Sequence, residues 1–108
     1  AANLGDIGMH FPDSSAEFKD IDSKILLRRV CSLLAKKKYT IGNIDTTLCL
    51  QQPKIADHIP AMKKTLASVM EIEEEKISIK ATTNESLGFI GREEGVSCYA
   101  VALIQFEN

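Results

Sequence analysis

Thr40-Ile41-Gly42-Asn43-Ile44-Asp45-Thr46-Thr47-Leu48-Cys49-Leu50-Gln51 is the stretch that decides the fold. In an extended chain Ile44, Thr46, Leu48 and Leu50 fall on one side, and Asn43, Asp45, Thr47 and Cys49 on the other. Alternation at period two predicts a strand over 40–51 with one face turned to a core. Pro53 ends it. On both flanks the period changes. Upstream, Leu26, Val30, Leu33 and Leu34 recur at helical spacing and predict a helix over 23–38, with Ser23 as its cap and three lysines near its C-terminal end. Downstream, Ile59, Met62, Leu66 and Val69 make the apolar stripe of a second helix over 56–70. A charged turn over 71–76 leads into a strand over 76–83, with Ile77, Ile79 and Ala81 facing one way. Residues 84–95, with three glycines, read as a loop, and 97–106 as the last strand. Residues 1–22 read as loop.

Helices alternating with strands predict an α/β fold (of α+β type), with crossover connections. Two amphipathic helices can cover one face of a sheet. The last strand is apolar on both sides, with Cys98, Ala100, Ala102 and Ile104 against Tyr99, Val101 and Leu103. Such a strand is expected to be buried twice over, so the uncovered face needs a partner. A homo-oligomer packed through its sheets supplies one.

Composition narrows the function. The 108 residues suit one domain, and a 44% apolar fraction excludes a disordered chain. Thirteen basic against fifteen acidic residues leave a net charge of −2, which is no footprint for a nucleic-acid backbone. The apolar runs are too short for a membrane span. Cys31, Cys49 and Cys98 are odd in number and widely spaced, and each sits in an apolar segment. They read as buried small hydrophobes rather than a disulfide framework or a zinc site. His10 and His58 share no ligand spacing with each other or with a cysteine.

Three polar clusters fall at element ends. Asp6 and Asp13, within Gly5-Asp6-Ile7-Gly8 and Phe11-Pro12-Asp13, are placed either to accept from substrate hydroxyls or to serve a turn. Gln51-Gln52-Pro53-Lys54 ends a strand, and Lys54 meets either a phosphate or solvent. In the third, Thr82, Thr83, Asn84 and Glu85 precede Gly88, Phe89, Gly91 and Arg92. Hydroxyls, a carboxylate, glycine-flanked amides and an arginine suit a phosphate with a divalent cation. The pattern is neither a P-loop nor a dinucleotide fingerprint.

Taken in order, these stretches resemble the 2-C-methyl-D-erythritol 2,4-cyclodiphosphate synthase family. The matching runs are Gly5 through Asp13, Gly42 through Asp45, Gln52 through Lys54, Lys80 through Phe89 and Gly91 through Gly95. The resemblance implies a homotrimer with a mixed sheet facing the threefold axis, helices outside, and active sites between subunits. It implies intramolecular phosphoryl transfer in 4-diphosphocytidyl-2-C-methyl-D-erythritol 2-phosphate, with release of CMP. Asp6, Ile7, Gly8, Phe11, Pro12 and Asp13 would bind the methylerythritol end. Leu50, Gln51, Gln52, Pro53, Lys54, Ile55 and Ala56 would line the cytidine pocket, with Lys54 toward the phosphates. Thr82, Thr83 and Asn84 would contact cytidine and diphosphate, with Thr83 stabilising the transition state. Glu85 would ligate magnesium or manganese on the diphosphate. Phe89 and Arg92 would lie toward the axis, where some relatives hold an isoprenoid diphosphate.

The family's zinc ligands belong to a preceding segment whose motif does not occur in these residues. The 108 residues are therefore expected to be an N-terminally incomplete domain, poorly active alone, in the cytoplasm or an organelle stroma. The alternative is a non-catalytic trimeric module that binds cytidine nucleotide or isoprenoid diphosphate. Asn84, Gln52 and Tyr99 stand where the family more often has Thr, Ala and, in some relatives, Glu.

Overall fold

A computed structural model describes residues 1–12, 14–17, 21–51, 54–83 and 85–108 of the protein. Its elements in chain order are α1 (Ile7–His10), α2 (Ser23–Lys36), β1 (Tyr39–Cys49), α3 (Ile59–Met70), β2 (Ile77–Thr82), α4 (Gly88–Gly91) and β3 (Ser97–Phe106). Short 3-10 turns at Ala56–His58 and Glu74–Lys76 lead into α3 and β2. The one-turn helices α1 and α4 interrupt stretches expected to be loop. Each is too short for apolar periodicity to register.

Local chemistry sets the ends of the two long helices. Asp22, not Ser23, caps α2: its side chain accepts from the Lys24 N–H at 2.9 Å. That bond satisfies a backbone donor with no partner inside the helix, and it holds the Asp22 carboxyl below its usual range. Lys38 turns left-handed (φ 66°) and swings the chain into β1. Pro60 in the first turn of α3 costs no helical hydrogen bond. Glu71 ends α3 in a left-handed conformation, and the Ile72 N–H returns to the Ala67 carbonyl at 3.1 Å.

The sheet is mixed, in the order β2-β1-β3. β1 and β2 run parallel, joined through α3, and β1 and β3 run antiparallel. The β1–β3 register slips between Ile41 and Asn43, where β1 carries an extra residue, Gly42. A bulge changes the phase of alternation. It puts Ile41 and Ile44 on the same core face although they are three residues apart, which the strict alternation of the sequence did not predict.

α2 packs on β1, α3 packs on β2, and the helices touch each other. The core lies between: Ala67 and Met70 from α3 against Ile77 and Ile79 from β2, with Leu27, Cys31, Ile41, Ile44 and Leu48 packed around them. Ile77 is the most deeply buried, 1% exposed.

β3 is not buried twice over. It is an edge strand, and Tyr99, Val101 and Leu103 are 67%, 72% and 55% exposed. The two long helices lie over β1 and β2, so among the described residues neither side of β3 is covered. Cys98 shares that exposure, contrary to the expectation of three buried cysteines, whereas Cys31 and Cys49 are half-buried. Burial pushes the Cys31 thiol up, and nearby Glu71 adds to the effect. The sheet face turned away from the helices is half polar and half apolar. Lys80 of β2 ion-pairs with Asp45 of β1, beside the Tyr99, Val101 and Leu103 row of β3.

Candidate active site

Parallel pairing brings the C-terminal ends of β1 and β2 to the same edge of the sheet. Cys49 lies opposite Thr82 in the register. One step further, the Leu50 N–H donates to the Thr82 carbonyl at 3.1 Å, so the pairing outlasts the strands. The two chains then diverge as loops. This is the place in an open α/β sheet where ligands characteristically bind.

From β1 come Leu50, Gln51, Lys54, Ile55 and Ala56, with Lys54 and Ala56 exposed and Leu50, Gln51 and Ile55 half-buried. From β2 come Thr82, Thr83 and Glu85, all exposed. The Glu85 N–H points to the Thr83 hydroxyl oxygen at 3.4 Å, and the Thr82 hydroxyl donates to the Thr83 carbonyl at 3.3 Å. The loops also bond to each other, because the Gln51 Oε1 accepts from the Ser86 N–H at 3.2 Å. Glu85 and Ser86 are both left-handed, with φ of 51° and 64°. Behind them stands Gly91, where a Cβ would lie 2.2 Å from the Ser86 carbonyl carbon. Only glycine fits there without moving the loop.

α4 carries Phe89, 52% exposed, with its ring against Gly95. Arg92 follows α4, and its Nε donates to the Glu94 carboxylate at 2.7 Å in a surface pair. Asp13, Gln52, Pro53 and Asn84 lie outside the described residues.

The first polar cluster stands apart from the strand ends. Asp6 heads α1 through its backbone, its carbonyl accepting from the Met9 N–H at 3.0 Å, and its side chain makes no capping bond. Ile7 and Gly8 lie on α1 and are exposed, and Pro12 is exposed too. Phe11, half-buried, lies with His10 in a cleft of about 260 Å³ against Arg29, Ser32, Leu33 and Lys36 of α2. The His10 Nε2 lies 2.7 Å from the Leu4 carbonyl, a structural role. The C-terminal half of α2 adjoins the start of β1, and the strand-end loops lie at the other end of that strand. Eleven residues of β1 span roughly 33 Å. One chain therefore brings the second and third clusters together and leaves the first at a distance.

The YgbB family profile matches residues 1–105. The chain belongs to the YgbB family. It is 59% identical over 105 residues to the 2-C-methyl-D-erythritol 2,4-cyclodiphosphate synthase of Bacteroides thetaiotaomicron, covering 97% of this chain and 66% of that protein. The chain thus spans just under two thirds of that relative's length. Among solved structures, the bifunctional IspDF of Campylobacter jejuni superimposes on all of this chain, and on 29% of its own, with a TM-score of 0.94 and 36% identity. IspF of Plasmodium falciparum, solved as a CDP complex, matches 96% of this chain and 62% of its own, with a TM-score of 0.83 and 36% identity.

The YgbB chain offers unequal support to the two kinds of metal that the resemblance implies. Among the described residues no three His, Cys, Asp or Glu side chains gather closely enough to hold an ion. Glu85 fits the second kind. Its exposed carboxylate is a hard oxygen donor, and magnesium is commonly held by one or two carboxylates together with the oxygens of a bound diphosphate.

Proposed function

We propose that this YgbB chain forms the nucleotide side of a 2-C-methyl-D-erythritol 2,4-cyclodiphosphate synthase. The observation that carries the reading is the Leu50–Thr82 hydrogen bond, which sets the loop bearing Lys54 beside the loop bearing Thr83 and Glu85. In this reading an oxygen of the 2-phosphate attacks the β-phosphorus of 4-diphosphocytidyl-2-C-methyl-D-erythritol 2-phosphate. A new P–O bond forms, the bond from the β-phosphorus to the bridging oxygen breaks, and CMP leaves with that electron pair. The enzyme is accordingly a phosphorus–oxygen lyase.

The chain's own work is positioning and charge placement. Leu50, Gln51, Ile55 and Ala56 frame the cytidine, with Gln52 and Pro53 between them in sequence. Lys54 supplies a positive charge to the nucleotide phosphates. Thr82 and Thr83 present hydroxyls to the diphosphate, and the Thr83 hydroxyl serves the transition state. Magnesium or manganese on Glu85 would neutralise charge on the departing phosphate.

Asp6, Ile7, Gly8, Phe11 and Asp13 bind the methylerythritol end, and they do so from a neighbouring subunit. The distance between the clusters within one chain supports that arrangement, as does the uncovered β3 face. The assembly is a homotrimer with β3 toward its axis, where Phe89 and Arg92 would meet an isoprenoid diphosphate; Arg92 would exchange Glu94 for that phosphate. Relatives near 60% identity carry the synthase name, which favours the catalytic reading over a non-catalytic nucleotide-binding trimer.

The test is turnover followed by phosphorus NMR with magnesium and zinc present. CMP and the cyclic diphosphate are expected to appear in equal amounts, and only slowly where these 108 residues act without the zinc ligands that the family carries. Saturable CDP binding with no turnover, even with the family's zinc-binding segment joined to these residues, would establish the non-catalytic alternative.

A further inference from the structure

The nucleotide reading assigns the 50–56 loop to the nucleoside and Glu85 to the cation, and it leaves the bond between the two loops without a purpose. We infer that Gln51 is a positioning residue: its side-chain carbonyl ties the nucleoside loop to the Glu85 loop, so that filling the first steadies the carboxylate of the second. The inference rests on the nucleotide-side reading proposed above.

Glu85 and Ser86 are consecutive non-glycine residues in the left-handed region. That conformation is disfavoured by contact between Cβ and the backbone, and it persists only where the surroundings impose it. Three groups impose it here. From β2, the Thr83 hydroxyl oxygen accepts from the Glu85 N–H. From α4, Gly91 lets the backbone close against Ser86. From the end of β1, Gln51 accepts from the Ser86 N–H, across 35 residues of sequence.

These supports are not equivalent. The Thr83 hydroxyl is the group that the reaction requires, and its hold on the Glu85 amide is long, at 3.4 Å. When that hydroxyl turns to a diphosphate, Gln51 and Gly91 are left to hold the loop. Gln51 is the support that also belongs to the nucleoside side. It follows Leu50 directly, and the Leu50 N–H is itself fixed to Thr82. A ligand that restrains 50–56 therefore restrains the acceptor of the Ser86 amide, and through it the residue next to Glu85.

The experiment reads backbone amide exchange by NMR in the intact protein, free and with CMP, which carries no diphosphate to bridge the loops through a metal. Gln51→Ala is expected to speed exchange of the Ser86 amide by about five- to tenfold, the loss of one ordinary hydrogen bond, while β2 amides keep their rates. CMP is expected to slow the Leu50, Lys54 and Ala56 amides in both proteins, but Ser86 only where Gln51 is present. Gln51→Glu keeps an accepting oxygen and should restore both behaviours. Equal Ser86 exchange in Gln51→Ala and the unaltered protein would overturn the inference, as would a Gln51→Glu variant that behaves like Gln51→Ala. If CMP protects none of the 50–56 amides, the nucleotide reading fails instead, and the comparison without CMP still decides whether the tether exists.

Discussion

Thr83 sits where two demands meet. Its hydroxyl oxygen receives the Glu85 N–H in the free chain, and in the proposed reaction it serves the β-phosphate. Removing a preorganised donor to a transition state typically costs a factor of about 10²–10³ in rate. If that reaction is this protein's, Thr83→Ala should therefore slow CMP release by that order, measured at saturating substrate, while sedimentation shows an unchanged assembly. A normal rate would remove Thr83 from the chemistry. At this scale the sequence was legible as far as position goes: Lys54 follows the end of β1, and Thr82, Thr83 and Glu85 stand at or just past the end of β2 beside it. It was not legible where a residue acts through another's backbone. Gln51 entered the reading as a pocket residue, yet its side chain accepts from the Ser86 amide, and Ser86 had been given no role within its motif. Only the paired glycines at 88 and 91 hinted that something there needed close backbone approach.

Among the elements, the long helices and the strands follow their periodicity, and the departures lie at ends and junctions. The cap of α2 moved by one residue, to Asp22, because a carboxylate one residue earlier reaches the Lys24 N–H. This gives a prediction with a definite sign. The folded Asp22 carboxyl titrates below its ordinary value. Its contribution is thus complete above the unfolded carboxylate range and fades as pH falls through the folded pKa. Asp22→Ala should lower the melting temperature at neutral pH, and the gap to the unaltered protein should shrink as pH falls below the ordinary carboxylate range. A gap that stays constant would mean that the charge contributes nothing. The Gly42 bulge and the one-turn helices escaped sequence reading for a different reason. Both are set by pairing partners and close contacts that a local window does not contain.

At the scale of the whole molecule, the described residues put one sheet face under helices and leave the other open, and β3 lies exposed at the sheet edge. The apolarity of β3 on both sides was plain in the sequence. Its position was not, because the sequence says that a strand wants covering and not what covers it. If the Tyr99, Val101 and Leu103 row is the face that copies share, a buried charge there is costly. Val101→Asp should convert a trimer to monomers in sedimentation equilibrium without removing the helical circular dichroism. A trimer that survives the substitution would place the interface elsewhere.

If the paired ends of β1 and β2 bind the nucleotide, an NMR titration of the protein with CDP and magnesium gives saturable shifts confined to the amides of 50–56 and 82–89, sharply weakened by Lys54→Ala. Shifts centred on the α2 cleft beside Phe11, or none at all, would contradict that assignment.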